Sequence, residues 1–301
     1  MKLYTCIPCA PFPTGAPSPR SVRTAGIVAL VLALAATASP VARSQTPSPL
    51  QEWQFSSGVV LQKLFEPTVP EWQVILGAAV QTSPLYAGAQ RNRVLGGPVI
   101  NIRYSDLAFL STGEGLGVNL LQGRNYRAGV AIGYDLGRKV ADDEAHLHGL
   151  GDLSPAPALK LFASYAISKS VPVVLRANVR QILGGADGLV ADLAVYMPLP
   201  GSSKTLIMFA GPSLTVMDQA YAQHLFGVTP AQAMSSQYQA YRPHGGLNAL
   251  GFGFSATRFV STHWLVNAEA AVNRLLRSAQ NSPITQSAVQ GVLVLSTAYR
   301  W

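Results

Sequence analysis

The chain contains a series of segments of about ten residues, each alternating apolar side chains with polar, charged or small ones, as transmembrane barrel strands do. In the clearest of them, one face of an extended strand carries Tyr126, Ala128, Val130, Ile132 and Tyr134. At ~3.3 Å per residue, the two tyrosines lie roughly 26 Å apart. Strands that cross an outer membrane have this pattern, with apolar residues toward lipid and aromatic residues at both interfaces.

The faces opposite these apolar faces carry charges, which distinguishes a barrel from a soluble β-sandwich. The charged residues are Arg103, Arg127, Lys160, Arg176, Arg180, Asp192 and Glu269. A dry sandwich core would not bury so many charges, whereas a wet barrel lumen would accept them. We therefore predict that they face a lumen, where they either line a pore of slight anion preference or pair into a salt-bridged plug. The plug is favoured, because side chains fill the interior of small barrels.

The spacing of the segments predicts an all-β, antiparallel transmembrane barrel of twelve strands. The predicted strands span 71–82, 93–104, 107–112, 115–122, 126–136, 156–168, 171–182, 187–199, 204–217, 245–258, 263–275 and 286–301. The third and fourth are short, so ten strands is the alternative, since an even number places both termini on the periplasmic side. Short connections alternate with long polar ones, which predicts short turns in the periplasm and long loops outside the cell.

The first 38 residues have the features of a secretory signal. Arg20 and Arg23 precede an apolar run that is too short to span a bilayer comfortably, and Ala36-Thr37-Ala38 fits a cleavage site. We predict a signal peptide at 1–38, with cleavage between about 38 and 44, a periplasmic tail at 39–70 and a barrel at 71–301. Localisation in the outer membrane follows from the signal and the strands together.

Removal of the signal peptide changes what the charge and the cysteines imply. Cys6 and Cys9 are the only cysteines, so cleavage would exclude thiol catalysis, disulfides and thiolate metal sites. Loss of Lys2, Arg20 and Arg23 reduces 22 basic residues to 19, against 14 acidic residues, for a net charge of +5. For an exported chain, this charge favours contact with anionic lipid, lipopolysaccharide or murein rather than with nucleic acid.

The C-terminal sequence VLVLSTAYRW ends within an apolar strand pattern. A barrel explains this ending, since its last strand must close against its first to leave no exposed edge. Tyr299 and Trp301 form an aromatic terminus that resembles the signal read by the barrel-insertion machinery, so we predict that machinery as a partner.

One loop carries residues suited to chemistry, namely Asp142, Asp143, His146 and His148. Two histidines beside carboxylates could bind zinc, and an Asp–His pair could activate water. The alternative, which we favour, is a solvated extracellular loop whose acids bind divalent cations among lipopolysaccharide. We predict no catalytic residue, cofactor or dedicated metal site.

An ordered set of short motifs resembles the MipA/OmpV family of outer-membrane proteins, which is named for an MltA-interacting protein. The set comprises EWQVILGAAVQTSPLYAG (71–88), GLGVNLL (115–121), GYDLGR (133–138), LHGLGD (147–152), LFASY (161–165), VRQILGGADG (179–188), GPSLT (211–215), YAQHLFGVTPAQA (221–233), HW (263–264) and NSPI (281–284). One departure is Trp301, where the family usually ends in Phe.

The resemblance implies an outer-membrane barrel, monomeric or oligomeric, that acts as a non-enzymatic scaffold. Its expected partners are a murein-degrading transglycosylase and a murein synthase. The alternatives are a small-solute pore or a stress-responsive, adhesin-like outer-membrane protein. A barrel hydrolase that uses the acidic and histidine-containing loop is a further alternative.

Overall fold

The structure, a computed structural model, describes residues 60, 63 and 69–301. The predicted signal peptide at 1–38 lies outside the described residues. Most of the predicted tail at 39–70 does too, although Val60 and Lys63 are described and have helical backbone.

Twelve antiparallel strands form one closed barrel. They are β1 (Trp72–Pro84), β2 (Asn92–Tyr104), β3 (Ala108–Ser111), β4 (Gly115–Gln122), β5 (Tyr126–Asp135), β6 (Ala156–Ala166), β7 (Val174–Ile182), β8 (Gly188–Pro198), β9 (Leu206–Met217), β10 (Gly246–Phe259), β11 (Trp264–Leu275) and β12 (Val289–Arg300). Each strand pairs with its neighbours in sequence, and β12 closes the sheet on β1, in a register that runs from Ile75↔Arg300 to Thr82↔Leu293. The prediction of twelve strands is confirmed, and the ten-stranded alternative is wrong.

Alternation along each strand separates an inner from an outer surface. On β6, Ala158 and Lys160 are 1% and 3% exposed, whereas Leu159 and Leu161, which alternate with them, are 50% and 61% exposed. This pattern, with exposed apolar side chains and buried small or charged ones, is the reverse of that in a soluble domain. It is what a lipid-facing barrel requires.

The two ends of the barrel differ in their connections. One end carries the short turns 105–107, 123–125, 167–173, 199–205 and 260–263. The other carries 85–91, 112–114, 136–155, 183–187, 218–245 and 276–288, with a 3₁₀ turn Val140–Asp142 and helices α1 (Glu144–Leu147), α2 (Gln219–Phe226), α3 (Pro230–Ser235) and α4 (Arg277–Gln280). Within the described part of the chain, no helix is both long and apolar enough to cross a bilayer.

Aromatic side chains form an outward-facing belt at the short-turn end. Its exposed members are Trp72, Tyr104, Tyr126, Tyr165, Trp264 and Trp301. Neighbouring rings are in contact, with centroids 4.8 Å apart for Trp72–Tyr104 and 4.6 Å apart for Tyr299–Trp301. Tyr134 is exposed at the other end of β5, so this strand carries an aromatic at each end of its lipid-facing side. Such belts mark the interfaces of a membrane with water.

Candidate functional site

The charged residues predicted to face the lumen all point inward and are buried. Arg103, Arg127, Lys160, Arg176, Arg180, Asp192 and Glu269 are each no more than 7% exposed. They lie on β2, β5, β6, β7, β8 and β11, and the structure groups them into one large cluster, one pair and one separate acid.

The large cluster is centred on Glu114, a residue for which the sequence analysis assigned no role. Arg127 Nη2 lies 2.6 Å and Arg176 Nη1 3.5 Å from Glu114 Oε1, and Arg103 forms an ion pair with Oε2. Lys160 Nζ donates to the Glu114 backbone carbonyl at 2.5 Å. Glu114, which is 1% exposed, therefore draws together four cations from four strands, three through its carboxylate and one through its carbonyl.

Local geometry directs Glu114 into the lumen. It lies in the tight connection between β3 and β4, where Ser111 Oγ accepts hydrogen bonds from the Gly113 and Glu114 amides at 3.3 and 3.4 Å. Gly115 follows with a φ of +87°, and a Cβ there would lie 2.2 Å from the Ile132 carbonyl oxygen. Only glycine fits this conformation without strain, so Gly115 allows the turn to fold against β5 and bury the acid.

Two aromatic rings support the cations around Glu114. The Arg127 guanidinium lies 5.6 Å from the Phe109 ring centroid and 5.2 Å from that of Phe162, and Arg103 lies 5.4 Å from Phe109. The two rings meet edge to face, 5.6 Å apart. Cation–π contacts of this kind stabilise a desolvated guanidinium by up to about 2 kcal/mol, which helps the lumen hold its buried charge.

The other inward-facing charges lie apart from this cluster. Arg180 Nη2 pairs with Asp192 at 2.6 Å, and Thr215 Oγ1 donates to the second Asp192 oxygen at 2.6 Å. Glu269, on β11, faces Ser255 across the β10–β11 register and accepts its hydrogen bond.

Neutral side chains complete the inner surface. On the β11–β12 wall, Asn267, Val294 and Ser296 are buried, as Glu269 is. Inward side chains are thus buried on this wall as well as around Glu114. The interior of the barrel is therefore packed with polar side chains. Opposite charges are paired in the large cluster and between Arg180 and Asp192.

The long connections pack together over the mouth opposite the short turns. Their shared apolar cluster contains Tyr86, Ala89, Leu147, Leu150, Val228 and Ile284. We refer to these packed connections, residues 85–91, 136–155, 218–245 and 276–288, as the cap. Because its members come from four separate connections, the cap is held by tertiary packing rather than by any one loop.

Buried polar contacts tie the cap to the barrel. Tyr221 Oη, on α2, donates to Asp135 Oδ2 at the end of β5, at 2.8 Å. Burial raises the pKa of the Tyr221 phenol, and the Asp135 carboxylate raises it further, so the phenol stays protonated as a donor. Within the cap itself, Arg138 Nη1 donates to the Leu225 carbonyl at 3.3 Å, and burial lowers the pKa of Arg138.

The acidic and histidine-containing loop lies within the cap, and the structure brings together only part of it. Asp143 lies 3.0 Å from His146 Nδ1 and accepts a hydrogen bond from Gln286 at 3.3 Å. Asp142 pairs instead with Arg93 at 3.3 Å, and His148 is exposed. Across residues 60, 63 and 69–301, no group of three or more His, Cys, Asp or Glu side chains is arranged to hold a metal ion.

The C-terminal aromatic residues lie at the seam where the barrel closes. Tyr299 is opposite Leu76 on β1 and Trp264 on β11, and its ring centroid lies 5.3 Å from that of Trp264. The Trp301 amide donates to the Val74 carbonyl at 3.1 Å. The last residues of the chain therefore bridge the first and the eleventh strands.

A closed barrel with an apolar outer surface, an aromatic belt and a charged interior defines the class of outer-membrane β-barrels. The family model for MltA-interacting protein MipA matches residues 76–301. The chain belongs to this family, and the resemblance seen in the sequence is confirmed.

Other comparisons add little to this assignment. No curated protein matches the chain. Among solved structures, the NanC porin is 10% identical, over 76% of this chain and 98% of that one, with a TM-score of 0.36. The CymD monoaromatic hydrocarbon channel is 9% identical over 85% and 93%, with a TM-score of 0.40. The outer membrane protein OprD from Pseudomonas aeruginosa is 10% identical over 75% and 65%, with a TM-score of 0.34. Similarity this weak carries no information about function.

Proposed function

We propose that this protein is a non-enzymatic scaffold that anchors murein turnover to the outer membrane. In this role it binds a murein-degrading transglycosylase and a murein synthase on its periplasmic side, while lipid and lipopolysaccharide surround its apolar outer face. The family description as MltA-interacting supports a transglycosylase partner.

The observation that carries the proposal is the ion cluster around Glu114. It joins β2, the β3–β4 turn, β5, β6 and β7 across the interior of the barrel. Buried pairs of this kind rigidify a structure, and breaking them is costly. A lumen built in this way favours a rigid platform over a path for solutes.

The alternative is a small-solute pore, which the charge balance of the interior favours. Five cations face four buried acids, which are Glu114, Asp135, Asp192 and Glu269. An excess of positive charge on a pore wall would attract anions. A pore would, however, have to open past the Glu114 cluster and the cap.

A hydrolase has less support. Asp143 and His146 are paired, but Asp143 also accepts a hydrogen bond from Gln286, and His148 and Asp142 lie outside the pair. A general base needs a nucleophile or a positioned water within its hydrogen-bonding reach. The Asp–His pair lies in a packed loop, where stabilising the cap is a sufficient role for it.

The scaffold is tested by capture of its partners. The protein, purified from outer membranes in mild detergent, is incubated with a purified membrane-bound lytic transglycosylase and, separately, with a bifunctional murein synthase. We expect saturable binding of both, and a ternary complex when all three are mixed. If the protein failed to bind the transglycosylase, or failed to bind the synthase, the scaffold function would be ruled out.

A further inference from the structure

The short-turn mouth of the barrel is occupied by a residue from outside the barrel wall. Val60 precedes β1 and is only 2% exposed. It packs into an apolar cluster with Ala166, Val174, Ala194 and Tyr196, and Phe209 lies against the cluster. These five partners lie on β6 to β9 and form what we term the socket.

A second residue from the same segment is bound on another part of the rim. Lys63 forms an ion pair with Asp106, in the turn between β2 and β3. Both side chains are largely shielded from solvent, with 18% and 14% of their area exposed. Val60 and Lys63 both have helical backbone.

The two contacts lie on separate parts of the barrel wall. Two strands, β4 and β5, separate the β2–β3 hairpin from the socket strands β6 to β9. The contacts also differ in kind, since one is apolar burial and the other is an ion pair. Apolar burial supplies most of the binding energy, and the ion pair sets the position.

We propose that Val60 and Lys63, which together we call the plug, dock the chain onto its own periplasmic mouth. Val60 fills the socket, and the Lys63–Asp106 pair is the latch that holds it there. The plug lies on the opposite side of the Glu114 cluster from the cap, so release of the latch exposes the socket without opening a path through the barrel. This inference is independent of the scaffold function, because it concerns an intramolecular contact that needs no partner.

Cross-linking tests whether the plug occupies the socket. In a Cys6→Ser/Cys9→Ser background, the pair Val60→Cys/Val174→Cys is compared with Val60→Cys/Leu175→Cys. Val174 faces the socket and Leu175 is the next residue, on the lipid-facing side. We expect mild oxidation to join positions 60 and 174 in intact outer membranes and to leave 60 and 175 unjoined. Equal cross-linking of the two pairs, or of neither, would overturn the proposal.

Labelling tests the latch. The rate at which a small charged thiosulfonate reacts with Val174→Cys is measured in detergent micelles, in the same cysteine-free background. Lys63→Glu replaces the ion pair with a repulsion, so we expect labelling to accelerate about fivefold, the effect of roughly 1 kcal/mol. Lys63→Glu/Asp106→Lys restores the pair with the charges exchanged and should return the rate toward that of the parent.

Two controls separate release of the plug from damage to the barrel. Ser203→Cys, in the exposed 199–205 turn, should react at the same rate in every variant. Heat-modifiable mobility on gels should be unchanged, because both latch residues lie outside the strands. A Val174→Cys rate that is unaffected by Lys63→Glu, or that stays accelerated in the charge-exchanged variant, would show that the ion pair is not a latch.

Discussion

At the scale of single residues, Glu114 is what allows the barrel interior to hold several buried cations. Around Glu114, the inward faces of β2, β5, β6 and β7 bring together four cations, which would repel one another in a confined space. A carboxylate placed between three guanidinium groups offsets that repulsion, and the Lys160 ammonium binds the carbonyl of the same residue. Removal of one partner from a buried ion cluster leaves uncompensated charge, which is far more costly than loss of a surface pair.

Glu114→Gln should therefore destabilise the barrel by about 3–5 kcal/mol, because the amide keeps the volume of the side chain but removes its charge. The measurement is the urea midpoint of unfolding from lipid vesicles. Glu269→Gln is the matched control, since Glu269 is equally inward-facing but is hydrogen-bonded by Ser255 rather than surrounded by arginines. A similar loss of stability in both variants would contradict the central role of Glu114.

Tyr221→Phe should loosen the cap while leaving the barrel intact. The substitution removes a buried hydrogen bond to the Asp135 carboxylate, which is worth about 1.5–3 kcal/mol because the acceptor is charged. Limited proteolysis of the 218–245 connection in whole cells measures the effect. Tyr241→Phe, which loses a bond to the neutral Ser278 carbonyl, should accelerate cleavage less. Faster cleavage in Tyr241→Phe than in Tyr221→Phe would argue against a charged anchor.

At the scale of elements, β12 has the most demanding position. It must pair with β11 along one edge and with β1, more than two hundred residues earlier in the chain, along the other. Until that second pairing forms, two strand edges are left with unsatisfied backbone groups, which lipid cannot hydrate. The aromatic terminus adds side-chain contacts at this seam, where Tyr299 packs against both Trp264 and Trp301.

Deletion of Tyr299–Trp301 should leave the protein exported but poorly inserted. The deletion removes the Leu76↔Tyr299 and Ile75↔Arg300 pairings and the bond from Trp301 to Val74. Heat-modifiable mobility of the membrane fraction measures insertion. Trp301→Phe keeps an aromatic terminus and should insert normally. A truncated protein that migrates as a normal folded barrel would refute this account.

At the scale of the whole molecule, the barrel is obstructed at three levels. The cap covers one mouth, the Glu114 cluster lies within, and the side chains of Val60 and Lys63 lie at the other mouth. Each obstruction uses different residues and different forces. Loss of any single one should therefore leave the others in place.

We accordingly expect the purified protein to give no stable conductance steps in planar bilayers. Replacement of 219–244 by a short turn removes much of the cap but leaves β9 and β10 and should not create a channel, because the Glu114 cluster remains. Discrete anion-selective steps from the unmodified protein would favour the pore instead. Steps that appear only after the replacement would show that the cap, and not the cluster, closes the barrel.

The sequence alone was sufficient to predict the strands that form the wall of the barrel. A strand period of two places every second residue on the same face, so apolar alternation identified the twelve strands and the inward charges without knowledge of their partners. The same local rule applies to Tyr126–Asp135, where the lipid-facing residues and the aromatic at each end are visible in ten consecutive letters.

Only the tertiary structure decided which side chains meet inside the barrel and at its two ends. Glu114 lies in a turn, which has no period to read, and its partners come from β2, β5, β6 and β7. Asp142 and Asp143 are adjacent in the chain, yet one pairs with Arg93 and the other with His146. Val60 lies before the first strand and is buried against β6 to β9. Apart from the local Asp143–His146 pair, these contacts join separate elements of the chain, and such pairings depend on the closed geometry of the barrel, which no local pattern encodes.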